Sequence, residues 1–482
     1  MKSSLELQRI IYSALKTQIQ FGVYRVGQRL PTMEDACLLF GVSIRTIRNA
    51  YQQLHQEGFI TMSRKVGVKV TVDYSEEEVE QHIQEFFIER RDALIDLGRS
   101  MQVLLSGAQW MGFKHVTPDQ LDQIEELARR EDILPPHKMV LQHQLIYGSL
   151  NNDMLMRLVW QIYMFFLAPF LSVPENLKGL EPEHSPLPCM IDLCRRQNWT
   201  QLRIAIETFQ GQFSSALDQF YEKRITLPVP ETQESFQWSS YKKVSQRCYS
   251  LGLEIMVGIR RGTYPAGSRL PSLCELAEEK HVSVDTVRRT LSLLNSIGVT
   301  DTRNGIGTYI LPADDSAAHC DLTLPAVKKR LLDFLQSLQV LASSCRRVAE
   351  VTFSASDTDA IRQCRDRLNR LKRDQRCDLA AYSILELMIH LAPFHAVRSV
   401  YTSLFYQLLW GYPIRNMHGN QESLDSHYLP HLLIFLDCLD RKDVERFSVE
   451  LETLLLSEVE FSASQMVQAG IAEAAVFSGT CL

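Results

Sequence analysis

Apolar side chains recur at Leu7, Ile10, Ile11, Leu15 and Ile19, a spacing that predicts a helix over residues 7–21, stopped by Gly22. Gly27 and Pro31 then shape an extended turn. Thr32 is placed to cap a helix over Met33–Phe40, with Glu34 and Asp35 in its first turn. Gly41-Val42 makes a tight turn, because a glycine tolerates the left-handed conformation that ends a helix. Ser43 caps a further helix running to about Gln56, with Ile47, Ala50, Tyr51 and Leu54 on one face and Gly58 beyond its end. Phe59–Met62 and Val66–Val72 read as short strands joined by Ser63-Arg64-Lys65, a basic hairpin tip.

Helix, helix, tight turn, helix and basic two-stranded wing is the layout of a winged helix-turn-helix. The chain carries it twice. Gly22, Tyr24, Gly27, Arg29, Leu30 and Pro31 return as Gly262, Tyr264, Gly267, Arg269, Leu270 and Pro271, a constant shift of 240 residues. At that shift Val42-Ser43 meets Val282-Ser283, Thr46-Ile47-Arg48 meets Thr286-Val287-Arg288, and Gly58 and Gly67 meet Gly298 and Gly307. Matches in register over this length mark an internal duplication.

A longer stretch of helical periodicity without strand-like alternation follows each copy. Ser75-Glu76-Glu77-Glu78 forms a capping-box pattern opening a long helix through about Gln109, and Thr117-Pro118 opens another. Helices are predicted at Lys138–Tyr147, Asp153–Phe170, Pro188–Gln197 and Thr200–Tyr221, and again from Pro325, Asp357, Leu379, Val397, Leu429 and Asp443. The fold class is therefore mainly α, two winged helix-turn-helix domains each followed by an all-helical bundle. Domain boundaries are expected at 1–73 and 241–312 for the winged domains and at 74–225 and 313–482 for the helical ones, with a polar, proline-bearing linker over 226–240.

Charge sharpens this picture. The 482 residues carry a net charge of −6, yet residues 1–73 hold ten Lys/Arg against five acids and residues 241–312 hold ten against six. Two basic islands thus sit in an acidic body, able to neutralise phosphates locally while discouraging indiscriminate adhesion to DNA. The eleven cysteines form no CxxC pair, and free thiols in a reducing compartment are the simplest reading. The N-terminus lacks an apolar signal core, and the apolar run Leu158–Val173 is shorter than a membrane span and carries Gln161 and Pro169. A cytoplasmic protein with no membrane contact is expected. No phosphate loop, nucleophile constellation or metal cluster stands out, so an enzyme is not indicated.

The two islands resemble the N-terminal signature of the GntR family of bacterial regulators. In the first, Ile19, Gly22, Tyr24, Gly27, Leu30-Pro31-Thr32, Val42-Ser43, Thr46-Ile47-Arg48, Leu54, Gly58 and Gly67 carry the likeness. In the second, Ile259, Gly262, Tyr264, Gly267, Leu270-Pro271-Ser272, Val282-Ser283, Thr286-Val287-Arg288, Gly298, Gly305 and Gly307 carry it again. The resemblance covers about 70 residues of each unit and implies a transcription regulator, repressor or activator, that binds double-stranded DNA under control of a small-molecule effector.

Candidate DNA contacts are Arg29, Thr32, Ser43, Arg45, Thr46, Arg48, Asn49, Arg64, Lys65 and Gly67 in the first copy. In the second they are Arg269, Ser272, Ser283, Thr286, Arg288, Arg289, Arg303, Asn304 and Gly307. Two arginines that the family commonly places on DNA are replaced, by Glu34 and Ile44 in one copy and by Cys274 and Val284 in the other. Asp285 also stands where the first copy has Arg45. These departures imply an altered operator and a second reading head that is weaker or different.

The family's helical effector domains include a metal-holding type with an Asp and several His. Here His143 and His184 match that pattern, but Met139 occupies the Asp position and Phe209 or Gln210 the last His. In the second unit Asp378 is present with Tyr382 in place of a His. No metal and no cofactor are expected. The aromatic helices around Trp160, Tyr163, Phe165 and Phe166, and around Tyr401, Phe405, Tyr406 and Trp410, suit either core packing or a ligand pocket. Candidate effector contacts are His143, Arg157, Trp160, His184 and Tyr401.

Relatives of this family dimerise to present two heads, so the duplication implies an intramolecular pseudo-dimer, with a further homodimer left open. The competing reading is a protein-interaction scaffold that kept its winged folds and lost DNA affinity. Charge reversal at Arg45 and Arg48 separates the two.

Overall fold

The computed structural model describes residues 3–63, 67–177, 186–238, 247–260, 262–312, 320–415 and 421–479. The chain divides into two compact units, residues 1–149 with 156–237, and residues 238–482 with 150–155.

The first unit opens with α1 (Ser3–Gln20), α2 (Met33–Phe40), α3 (Ile44–Gln56) and the hairpin β1 (Ile60–Ser63) and β2 (Gly67–Val70). Leu15, Ile19, Ile47, Ala50, Tyr51 and Leu54 form its core. The hairpin is antiparallel, pairing Ile60 with Val70 and Ser63 with Gly67. The segment expected as an extended turn is one, and it is tied to β2 by a single bridge between Arg29 and Lys69. Gly27 N donates to Val70 O, Leu30 N to Val68 O and Val70 N to Gln28 O.

The helical part follows as α4 (Glu76–Ile88), α5 (Arg91–His115), α6 (Pro118–Arg129), α7 (Pro135–Gly148), α8 (Asp153–Ile162), α9 (Ala168–Leu171), α10 (Pro174–Leu177), α11 (Leu187–Arg195) and α12 (Trp199–Arg224). The expected capping box of Ser75 with Glu78 is present, and the helix start at Thr117 carries another, with Gln120. One expected helix is in fact two. The chain breaks at Glu89–Arg90, where Arg90 leaves helical geometry at φ −121°, ψ 9° and its guanidinium lies 4.1 Å over the Phe86 ring. Nothing in the periodicity of 75–109 marks this corner, because apolar residues continue through it.

α8 and α9 are joined by a π-turn over Tyr163–Leu167. Asp153–Leu171 is long and apolar enough to cross a membrane by length and composition, but two-thirds of it is buried in the protein (67%). That burial is the behaviour expected of the run ending at Val173.

The stretch expected as a polar, proline-bearing linker makes several contacts over its described residues. Glu234 N donates to Glu89 O at 2.7 Å, Arg90 pairs with Glu234 at 2.6 Å, and Gln233 exchanges two hydrogen bonds with Asp92. Phe236 is buried against Phe165. These bonds hold the segment against the exposed α4–α5 corner.

The second unit repeats the plan with α13 (Arg247–Arg260), α14 (Leu273–Glu279), α15 (Val284–Ser296), β3 (Thr300–Arg303) and β4 (Gly307–Ile310). The same three hydrogen bonds recur at the shift of 240, from Gly267 N to Ile310 O, Leu270 N to Thr308 O and Ile310 N to Ser268 O. Thr300 pairs with Ile310 and Arg303 with Gly307, matching the first wing. Its bundle comprises α16 (Pro325–Ala355), α17 (Thr358–Arg373), α18 (Ala380–Leu391), α19 (His395–Gln407), α20 (Tyr412–Arg415), α21 (Gln421–Arg441) and α22 (Val444–Gln468).

α21 starts eight residues before the expected Leu429 and encloses Pro430. Leu424, Tyr428, Leu432 and Phe435 are all buried, so one continuous apolar stripe outweighs the backbone hydrogen bond lost at proline. The second head is anchored to its bundle by the Arg330 guanidinium, 4.1 Å over Tyr249 and 2.7 Å from Asp333, and by Trp410 packed against Gly252.

Candidate nucleic-acid interface

In each copy the leading end of the third helix is set by the same local chemistry. Ser43 lies extended at φ −69°, ψ 150° and accepts from Thr46 N; Ser283, at φ −71°, ψ 148°, accepts from Thr286 N. One turn earlier, Thr32 accepts from Asp35 N and Ser272 from Glu275 N. Ser272 N completes a capping box by donating to Glu275. Gly41 (φ 60°) provides the left-handed turn between helices in the first copy. His281 (φ 49°) adopts it in the second, against the preference of a side chain bearing Cβ.

These caps leave the leading turns of α3 and α15 at the surface. Arg45 and Arg48 are exposed, Asn49 is half-buried, and Arg29 is exposed where it bridges to Lys69 of β2. Among the described residues neither Arg29, Arg45 nor Arg48 has an ion-pair partner. Thr46 is only 3% exposed and its hydroxyl lies 3.0 Å from Ser43 Oγ, so it offers the least surface of the expected set. Gly67 opens β2 in the left-handed region (φ 84°). Arg64 and Lys65 fall outside the described residues.

The second head differs in its electrostatics. Asp285 holds Arg289 at 2.8 Å and Arg288 at 3.5 Å, and Arg303 pairs with Asp301 at 3.0 Å while lying 5.1 Å over Tyr309. Between α15 and the wing runs an open groove of about 560 Å³ that brings together Arg269, Ser272, Arg288, Arg303, Asn304 and Gly307. Ser283, Thr286 and Arg289 do not line it. Cys274, Asn295 and the exposed Ile306 do, and sequence reading missed them. Cys274 stood at a family arginine position, which was the available signal.

Effector candidates scatter. His143 and Trp160 border a small pocket shared by α7 and α8. His143 also lines a second, partly enclosed cavity with Met101, Met139, Tyr147, Phe209 and Gln210. Arg157 lines neither. Tyr401 is fully buried with its hydroxyl 2.9 Å from Ser344, a packed core residue. His184 lies outside the described residues. Met139, Phe209 and Gln210, the positions unsuited to a metal, are therefore cavity wall. Among the described residues no group of three or more His, Cys, Asp or Glu is placed to hold a metal ion.

Two winged helix-turn-helix heads, each with a capped and exposed third helix, define a DNA-binding transcription regulator. The profile of the gntR family of bacterial regulatory proteins matches residues 7–70 and 252–310. Over 97 residues the chain is 30% identical to the HTH-type transcriptional regulator Rv1152 of Mycobacterium tuberculosis, covering 20% of this chain and 77% of that protein. Over 194 residues it is 24% identical to the Uxu operon regulator of Haemophilus influenzae, covering 39% of this chain and 71% of that one. The solved GntR of Streptococcus agalactiae, 17% identical, covers 44% of this chain and 98% of its own at a TM-score of 0.20, too low to bear on the assignment. The chain belongs to the gntR family, which consists of transcription regulators rather than enzymes.

Proposed function

We propose that this regulator is a cytoplasmic protein that reads DNA through two unequal heads, and that a small molecule bound in the helical part of the first unit adjusts its affinity. One chain then supplies the two heads that relatives assemble by dimerising, and the operator is asymmetric. The observation that carries the reading is the contrast between two otherwise equivalent capped helices. Among the described residues Arg45 and Arg48 have no ion-pair partner, whereas Asp285 engages both Arg288 and Arg289. Unpaired guanidinium groups at a leading helical turn are suited to phosphates and base edges. Arginines already sharing a carboxylate give up part of that attraction.

The regulatory half rests on α7. This helix contributes Met139, His143 and Tyr147 to the wall of the second cavity. Elsewhere on the same helix Gln144 Nε2 donates to Leu39 O near the end of α2, and His137 lies 3.4 Å from Gln18 of α1. A ligand that displaces α7 changes the support of the first head.

The test is binding to DNA from upstream of the protein's own gene, titrated across salt. Replacing Arg45 and Arg48 by Ala should flatten the dependence of log affinity on log salt by about 1.8 and weaken binding about thirtyfold at 0.15 M, from a slope of about 0.9 per phosphate contact. Absence of salt-sensitive binding in the unaltered chain identifies a scaffold instead, and unchanged affinity in the variant removes Arg45 and Arg48 from the contact set.

A further inference from the structure

The cavity beneath α7 has a composition that narrows its occupant. Its free space is about 20 Å³, room for about one water molecule. Apolar side chains form most of the wall, and no Lys, Arg, Asp or Glu is among the lining residues. The polar groups are those of Gln109, His143, Tyr147 and Gln210. Gln210 Nε2 donates to Gln109 Oε1 at 2.5 Å, which leaves Gln210 Oε1 buried without a partner. His143 Nδ1 is in the same condition. Polar atoms enclosed in this way are usually satisfied, so these two mark a place where something else bonds.

A charged ligand does not suit this place. A carboxylate or ammonium would leave water with no opposite charge to meet it, and such burial is strongly unfavourable. The imidazole supplies no positive charge at neutral pH, since burial pushes the His143 pKa down to about 4. Met101 and Met139, flexible and polarisable, are the side chains best able to yield space.

Resting on the regulatory reading above, we propose that the cavity binds an uncharged, largely apolar molecule bearing one hydroxyl or amide N–H. That group donates to Gln210 Oε1, and the hydrocarbon body displaces the two methionines. The ligand class follows from the lining alone and excludes the organic acids that an arginine-lined or metal-loaded pocket would select.

The experiment uses the full chain with matched probes, benzyl alcohol and hexanamide against benzoate and hexanoate. Binding is read from ¹⁵N-histidine resonances, assigned to His143 with the His143→Phe variant, and from the thermal midpoint. The neutral probes should shift the His143 signals and bind at least tenfold more tightly than their acids. In Gln210→Met, benzyl alcohol should lose its advantage over toluene while toluene still binds. Equal or tighter binding of the acids overturns the proposal, and so does a His143 signal that no probe moves, which reduces the cavity to a water site. DNA affinity is measured alongside. Neutral probes that bind without changing it leave the ligand class standing and refute the regulatory reading.

Discussion

Asp285 gives the most direct access to the inequality of the two heads. It occupies the second position of α15, with Arg289 at 2.8 Å and Arg288 at 3.5 Å, and all three side chains are more than half exposed. Replacing it by Asn keeps the shape, removes one negative charge and releases both guanidinium groups. If the carboxylate serves only to neutralise its neighbours, the head gains one effective phosphate contact. The slope of log affinity against log salt then steepens by about 0.9, affinity rises about fivefold at 0.15 M, and the gain shrinks to about twofold at 0.5 M. The carboxylate also favours its own helix end, so the variant should lose only about 0.5 kcal/mol of stability, measurable by urea unfolding. The assay is fluorescence anisotropy of the full chain on its upstream DNA and on an unrelated duplex, at several salt concentrations. A fall in affinity confined to the upstream DNA would falsify this reasoning. It would show that Asp285 accepts from a base amino group, as acidic side chains do with cytosine.

Two further outcomes follow from buried features of the first unit. A Cβ on Gly112 would sit 2.4 Å from the Ile146 carbonyl oxygen, a backbone atom that cannot step aside, so Gly112→Ala should push α5 from α7 and cost about 3 kcal/mol in urea unfolding. His137 and His143 are both held neutral by burial, with pKa values pushed down from 6.5 to about 4. Between those values the unfolded chain takes up protons that the folded one refuses. Stability should therefore fall as pH drops from about 6.5 to about 4 and level off below, by at most ~3 kcal/mol for each histidine. Unfolding midpoints of the wild type and of His143→Phe across that range check the sign, and a flat profile in the wild type contradicts it.

The winged heads were legible because their determinants are local. A hydroxyl before a helix, a glycine after it and an apolar face every three or four residues are fixed by neighbours in sequence, and Thr32, Ser43 and the buried row from Ile47 to Leu54 lie where those rules put them. What escaped was set by distant partners. The bridge at Arg29 forms because β2 lies beside it, and Gln233 and Glu234 are held because Asp92 and Arg90 lie at the α4–α5 corner. Thr46 read as a DNA contact from its helical position, and only the turn of its hydroxyl toward Ser43 withdraws it from the surface. The cavity was the least visible feature. Gln109 and Gln210, about a hundred positions apart, acquire meaning only once α5 and α12 pack together.

The repeated head also has a bearing on inheritance. Where a regulator assembles from identical copies, any substitution arrives in every reading helix at once and the site on DNA must change symmetrically to follow it. Here the codons for Arg45 and Asp285 mutate separately. If both heads read DNA as proposed, each can track its own stretch of sequence while the other holds the protein in place, and that freedom lets a palindrome drift into two unrelated words.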